Sequence, residues 1–257
     1  MIDCQFSKIL FSIGAVKIHF YGAIAAAALF FAIFLAKKLV VKFPKKFATL
    51  RAVDFENLAV YLVGFGFFGA RLFYVLFYNL EFFAGSPIEI FKIYNGGLSV
   101  HGGIFGGLLG LFFFARKFKI PFWDLANFVA PLFALGLGFG RFGNFINGEL
   151  VGRETDFFFA CDFGDGVPRF PVQLLGALKN FTIAAILFFH NFRGGKFGSA
   201  GFLISIGLFR FLVEFLREPD AQLGFIFWKI SAGQIFAIAT FLIGIAIFFV
   251  QKKRRKI

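Results

Sequence analysis

Apolar residues gather into long runs along this chain instead of alternating with polar ones. Seven of the runs approach the roughly 20 residues that cross a hydrocarbon core as a helix. They cover 18–36, 57–78, 98–115, 123–145, 171–191, 200–216 and 232–250. The third is the least regular, because Gly102, Gly103, Gly106, Gly107 and Gly110 weaken helix propensity. Small residues at that spacing also let helices pack closely in lipid, which is the reading adopted. The first run is long and ends at Lys37 and Lys38, so it reads as a retained span and not as a cleavable signal peptide. The pattern predicts an all-α integral membrane protein with seven transmembrane helices forming one membrane-embedded domain over 1–257. Gly, Asp and Pro turn signals over about 146–170 predict a small folded head inserted between the fourth and fifth spans. No internal repeat is visible, which argues against inverted-repeat transporter folds.

Charge orients the pattern. Basic residues crowd the connections after the first, third and fifth runs: Lys37, Lys38, Lys42, Lys45, Lys46, Arg51, then Arg116, Lys117, Lys119, then Arg193, Lys196. The tail adds Lys252, Lys253, Arg254, Arg255 and Lys256, while the opposite connections hold only Lys8, Lys17, Lys92, Arg153, Arg169, Arg217 and Lys229. The positive-inside rule then predicts an outer N-terminus, an outer head and a cytoplasmic C-terminus. Composition agrees: 59% of residues are hydrophobic, 16% are charged and mean hydropathy is +0.82, values of the membrane class. A net charge of +13 would invite a nucleic-acid partner, but the basic residues lie between spans and form no binding stripe, so no nucleic acid is expected. The 48 phenylalanines are spread over all the runs and read as lipid-facing bulk. Cys4 and Cys161 lack metal-site or CxxC spacing; whether they pair is open, with a free thiol at each as the default.

A few ionisable groups fall inside the apolar runs, where they are costly and point to function. They are Arg71, Arg141, Lys179, Arg210 and Glu214, with Tyr21 and His101 near run ends. On the predicted orientation they lie in the outer half, Lys179 being the ambiguous one, and it has no account at this level. Arg210, Glu214 and Arg217 share one helix face. An intramembrane ion pair locking helix packing explains Arg210 with Glu214, but it leaves other arginines over. A phosphate ligand would resolve that excess, because the planar guanidinium fork suits phosphate, and at the outer leaflet this means a phospholipid headgroup. His101, in SVHGGIFGG, is equally readable as a packing residue or as a group suited to proton transfer near neutral pH. His19 and His190 read as interfacial. No HExxH, GxSxG or P-loop context is present.

The most unusual stretch is Gly140–Thr155, GRFGNFINGELVGRET, a polar, glycine-punctuated run at the end of an apolar segment. Its Gly140-Arg141-Phe142-Gly143-Asn144-Phe145-Ile146-Asn147-Gly148-Glu149, continuing to Gly152-Arg153, resembles the signature of the bacterial prolipoprotein diacylglyceryl transferases. Further pieces follow in that family's order: His19-Phe20-Tyr21-Gly22, Gly69-Ala70-Arg71 with Tyr74, Gly96 to Gly103 with His101, Arg210 to Arg217 with Pro219-Asp220, and Gly233-Gln234. The resemblance implies a multi-pass enzyme of the bacterial inner membrane with its active site toward the periplasmic half. It would move the sn-1,2-diacylglyceryl group of phosphatidylglycerol to the lipobox cysteine of a prolipoprotein, forming a thioether and releasing glycerol 1-phosphate as the first step of lipoprotein maturation. No cofactor or metal is implied; the partners are phosphatidylglycerol, prolipoprotein signal peptides and the lipid bilayer.

On this reading Arg141 and Arg210 hold the phosphate, together with Arg71, and His101 is the base or an orienting donor for the thiol. Tyr21, Asn144 and Glu149 position headgroup hydroxyls or helix ends, Glu214 orients Arg210, and Gly152 permits a backbone turn in the head. One departure is visible: the family's usual Tyr-Glu pair after Pro171-Val172-Gln173-Leu174 is replaced by Leu175 and Gly176. Two other readings stay open from the residues, a lipid or anion transporter and a structural membrane subunit whose charges pair with one another.

Overall fold

A helix forms over every predicted apolar run. The computed structural model describes residues 2–14, 16–93, 96–218, 225–227 and 230–254. Pro219, Asp220, Lys229, Arg255 and Lys256 of the sequence reading lie outside the described residues. In chain order the main helices are α1 (Phe20–Lys42), α2 (Asp54–Phe77), α4 (Val100–Lys117), α5 (Phe122–Asn147), α6 (Val172–Phe192), α7 (Gly198–Glu214) and α8 (Ala232–Arg254), with a short α3 (Leu80–Gly85) and a 3-10 turn (Pro87–Phe91) between α2 and α4. Five of them, α1, α2, α5, α6 and α8, are long and apolar enough to cross a membrane. The other two runs give shorter helices, α4 with 18 residues and α7 with 17. The protein is a mostly helical, multi-pass membrane protein. Phenylalanines such as Phe30, Phe34, Phe68 and Phe105 are exposed on the helices, as a lipid-facing surface requires.

The chain divides into two compact units, residues 33–126 and residues 1–32 with 127–257. In the first, α2 and α4 pack through glycines. A methyl group at Gly102 would lie 2.3 Å from the Gly69 carbonyl oxygen, and one at Gly106 would lie 2.1 Å from that of Phe65. The glycines that weaken α4 as an isolated helix are therefore its packing face. At the start of α2, Arg51 grips Asp54 with two hydrogen bonds of 3.1 and 3.0 Å, and Glu56 pairs with Lys37.

In the second unit, Ala130, Ala134, Ile183, Ala184 and Leu187 form the seam between α5 and α6, with Phe202 and Ile206 of α7 against it. One end of this group is closed by a polar clamp. Asn127 Nδ2 donates to Lys196 O at 2.7 Å, and its Oδ1 accepts from Ser199 N at 2.9 Å and from Ser199 Oγ at 2.8 Å. Gln251 Nε2 donates to Ser199 Oγ at 2.8 Å, and Asn191 Nδ2 to Asn127 O at 2.8 Å. The ends of α5, α6, α7 and α8 are thereby stitched through one asparagine, so this end carries more polar structure than an apolar reading of it expects.

Small strands complete the fold. A hairpin of β2 (Ile9–Ile13) and β3 (Val16–His19) leads into α1, and β5 (Phe225–Phe227) pairs with β6 (Ile230–Ser231) before α8. β1 (Ile2–Asp3) runs parallel to β4 (Cys161–Asp162). Beside that pairing, Cys4 and Cys161 form a disulfide, both residues buried against Phe145 and Phe163. Sequence leaves this pairing open, with a free thiol at each as the default; strand pairing across 157 residues, invisible to local spacing, brings the sulfurs together.

Asn127→Ala removes four side-chain hydrogen bonds and strands the Lys196 carbonyl. It is expected to destabilise the protein by about 2 kcal/mol, measured as a lowered midpoint of thermal unfolding in detergent.

Candidate functional site

The polar stretch that ends α5 is a helix stop built on Gly148. That residue has φ +64°, the left-handed conformation that glycine adopts without steric cost. Glu149 N donates to Asn144 O at 2.9 Å and Gly148 N to Phe145 O at 3.1 Å, the two bonds of a Schellman motif. Asn144 and Asn147 then turn their amides to the Glu149 carboxylate, at 3.4 and 3.2 Å. Buried Gln173, at the start of α6, donates to Glu149 O at 2.9 Å. The end of α5 and the beginning of α6 are thus fixed side by side. Tyr21, in the first turn of α1, lies flat on Gly143, where a methyl group would come 2.9 Å from its ring.

The end of α7 meets the same place. Glu214 is buried and lies 3.1 Å from Arg210 Nη2 and 3.8 Å from Arg217 Nη1. Ser231 Oγ donates to its carboxylate at 3.1 Å. Ser231 is also the N-cap of α8: its Oγ accepts from Gln234 N at 3.2 Å, while Gln234 Oε1 accepts from Ser231 N at 3.0 Å. This reciprocal capping box presents the positive end of α8 to Glu214. The approach is close, since a methyl group at Gly233 would fall 2.2 Å from Glu214 Oε1. Glu214 thus meets two guanidinium groups and a helix terminus at once.

Arg141 is placed differently. It stands one helical turn and a half before the end of α5, its side chain lying across α6 at Gly176, where a methyl group would be 3.3 Å from Arg141 Cδ. It lies within electrostatic reach of Arg210, Arg217, Glu214 and Tyr21, and Lys179 lies within reach of Arg141 and Arg210. Among the described residues neither Arg141 nor Lys179 has a hydrogen-bond or ion-pair partner. Among the described residues, Arg141, Lys179, Arg210 and Arg217 gather at this end with the Glu214 carboxylate, and an anion is the chemical complement of such a setting.

The connection from α5 to α6 covers this end with short bridges. Gly152 pairs with Arg217, and Glu154 and Cys161 each pair with Arg169. Arg153 N donates to Leu216 O, and Arg153 Nε to Arg217 O, both at 3.0 Å. A methyl group at Gly152 would meet Phe170 O at 2.2 Å, so this position is reserved for glycine by close backbone approach and not by a turn. Arg169 pairs with Glu218 and with Asp165, the latter at 2.7 Å. The hydrogen bond from Arg169 holds the Asp165 carboxyl below its ordinary range, so this link is intact at neutral pH and weakens only as pH falls through the depressed value.

Arg71 and His101 belong to the other unit. Arg71 is buried, and its guanidinium donates to Ile90 O, Gly96 O, Gly97 O and Glu89 O at 2.8, 2.8, 2.9 and 2.6 Å while lying 5.0 Å from the centre of the Phe83 ring. Nearly all its donors are committed to the loop before α4. His101 is exposed in the first turn of α4, where Ser99 Oγ accepts from Gly102 N at 3.4 Å. Among the described residues no His, Cys, Asp and Glu cluster is arranged to hold a metal ion. The supporting residues Arg217, Gln173, Ser231 and Gln234 are not among the site residues expected from sequence. Arg217 is legible there as a neighbour of Arg210 and Glu214, and Ser231 with Gln234 through the Ser-x-x-Gln spacing before an apolar run.

Fold and site together define a multi-pass membrane protein with an anion-seeking cation cluster at one end of its helices. The sequence model of the family described as LGT, prolipoprotein diacylglyceryl transferase, matches residues 8–250. Over 258 residues the chain is 42% identical to the phosphatidylglycerol–prolipoprotein diacylglyceryl transferase of Mannheimia succiniciproducens, covering 98% of this chain and 95% of that one. The enzymes of the same description from Bordetella parapertussis and Vibrio cholerae are each 39% identical, over 95% and 96% of this chain and 95% and 92% of theirs. The chain belongs to the prolipoprotein diacylglyceryl transferase family. It is a transferase of lipoprotein biosynthesis, as the Gly140–Thr155 signature implied.

Glu214→Ala takes away the carboxylate that two guanidinium groups share inside the helices. It is expected to cost about 3 kcal/mol, with Glu214→Gln costing less because an acceptor for Ser231 survives. Thermal unfolding of the two variants in the same detergent checks the order.

Proposed function

We propose that this protein transfers the sn-1,2-diacylglyceryl group of phosphatidylglycerol to the thiol of a prolipoprotein lipobox cysteine. A carbon–sulfur bond forms at the glyceryl carbon and the bond from that carbon to the phosphate oxygen breaks. The electron pair leaves with the phosphate as glycerol 1-phosphate, and the thiol proton passes to a base. The observation that carries this reading is Arg141: a guanidinium among apolar helices, without a carboxylate of its own among the described residues, in the family's signature stretch. Arg141 and Arg210 bind the phosphate and stabilise the charge that develops on it. Glu214 positions Arg210, while Asn144 and Glu149 hold the helix stop from which Arg141 projects. Tyr21 orients the headgroup. His101 is kept as the candidate base on the strength of the family resemblance. Arg71 is reassigned: with its donors spent on loop carbonyls, it ties together Glu89, Ile90, Gly96 and Gly97 instead of holding phosphate. A purely structural role for the charges is disfavoured by Arg141 and Lys179, which such a role would have paired.

We further infer that all seven apolar helices span the bacterial inner membrane as one enzyme domain, with the head and N-terminus periplasmic. The Cys4–Cys161 disulfide supports this side, because such bonds persist in oxidising compartments. The basic runs at the other helix ends support it from the cytoplasm.

Incubating the purified protein with phosphatidylglycerol and a lipobox peptide should yield the thioether, read by mass. Absence of product with a peptide that a related enzyme accepts would sink the assignment. Arg141→Ala should lower turnover by about a hundredfold or more while the protein still folds. His101→Gln should flatten the thiol-dependent pH profile if His101 is the base, and an unaltered profile would leave it a positioning role. For orientation, reduced intact spheroplasts treated with a membrane-impermeant maleimide should be labelled at Cys4 and Cys161; protection until lysis would reverse the topology.

A further inference from the structure

Lys179 is the one intramembrane charge that the proposed reaction leaves without a task. It sits on α6 about seven residues from the helix start, roughly 10 Å along the axis at 1.5 Å per residue. Arg141 is roughly 9 Å from the end of α5, and Arg210 roughly 6 Å from the end of α7. These ends lie together: Gln173 is bonded to Glu149 O, and Gly152 pairs with Arg217. The three cations therefore occupy neighbouring levels of one helix group. Lys179 follows Gly176 by three residues, one turn along the face that Arg141 crosses. On the same face Asn180 is buried, 2% exposed, with its Oδ1 unbonded among the described residues. A second polar side chain thus accompanies the lysine in the first half of α6.

A lysine that merely tolerated the membrane would be expected to carry its ammonium along the chain to water or to a carboxylate. Lys179 is half-buried and lies within reach of two arginines. The nearby carboxylate, Glu214, is already shared by Arg210 and Arg217. Like charges repel, and an anion between them would relieve that repulsion. The absence of a side chain at Gly176 keeps the path from Lys179 to Arg141 open.

We propose that Lys179 is a third cationic ligand of the lipid phosphate and a specificity-determining residue for an anionic headgroup. This inference rests on the transferase reading above. Arg141 and Arg210 grip the phosphate through their planar forks, and the Lys179 ammonium adds a point charge with adjustable donors. Its contribution is to lipid binding, and a headgroup bearing an ammonium of its own would be repelled by it.

The test is Lys179→Met, which keeps the apolar stem, set beside Lys179→Arg and Lys179→Gln, with transfer measured against phosphatidylglycerol diluted in phosphatidylcholine. The expected result is a rise in KM for phosphatidylglycerol of about tenfold in the Met and Gln variants, the size of one charge-assisted hydrogen bond. In those variants kcat should fall less than threefold, and Lys179→Arg should restore KM. Native mass spectrometry of the detergent-purified proteins with added phosphatidylglycerol should show the same loss of bound lipid, and none for phosphatidylcholine. An unchanged KM, or a fall in kcat at constant KM, overturns the proposal. Should the wild type bind phosphatidylglycerol but make no thioether, the transferase reading fails while the lipid-binding comparison still decides the role of Lys179.

Discussion

One buried carboxylate holds this end of the protein together. Glu214 lies among apolar helices, where an unpaired charge would be prohibitive, and every group around it answers that constraint. Arg210 supplies countercharge from its own helix and Arg217 from just beyond that helix's end, Ser231 donates a hydrogen bond, and the capped start of α8 brings its positive end against it. The closeness of Gly233 leaves no room for a side chain there. Through Arg217 the same carboxylate reaches the strand-like pairing with Gly152 and so the connection between α5 and α6. Helix packing, the covering head and the orientation of Arg210 are in this way consequences of a single electrostatic debt being settled locally.

Against that background the arginines divide by how their donors are used. Arg71 is wrapped in carbonyl oxygens and stacked near Phe83, and the loop before α4 takes its form from those bonds. Arg141 has no such shell among the described residues, although it is flanked by other cations. The residue type and apolar surroundings are the same in sequence; only the three-dimensional pattern of hydrogen bonds separates an arginine wrapped in carbonyl oxygens from one without such partners among the described residues.

What could be read in advance follows the range of the forces involved. Lipid thickness imposes span length, so the helices were visible as apolar runs. α1 and α8 extend past the expected boundaries because Lys37, Lys38, Lys42 and Lys252 continue the helix while carrying charge toward water. The glycines of α4 were legible as a packing face because their spacing is local. The Cys4–Cys161 pairing, the four-helix clamp on Asn127 and the short helices over 80–91 were not, since each depends on partners far away in the chain or on weak local signals. At the site, the GRFGNFINGE stretch announced itself, and Gly148 behaves as its position foretold. At Gly152 the sequence suggests a turn, whereas close approach to Phe170 sets the backbone there. The role of Gln173 follows only from its contact with Glu149 O, a partner that local spacing does not reveal.

The disulfide also changes what kind of object the polypeptide is. Joining Cys4 to Cys161 makes a covalent ring that contains α1 to α5, leaving α6 to α8 as a tail outside it. A cut in the basic connection between α1 and α2 would open that ring without releasing either fragment, and only reduction would let the pieces part. The ring can also close only after α5 has been made and both cysteines share one compartment. The bond thereby records that about the first two-thirds of the chain have been made, whatever the state of the helices that carry Lys179, Arg210 and Glu214.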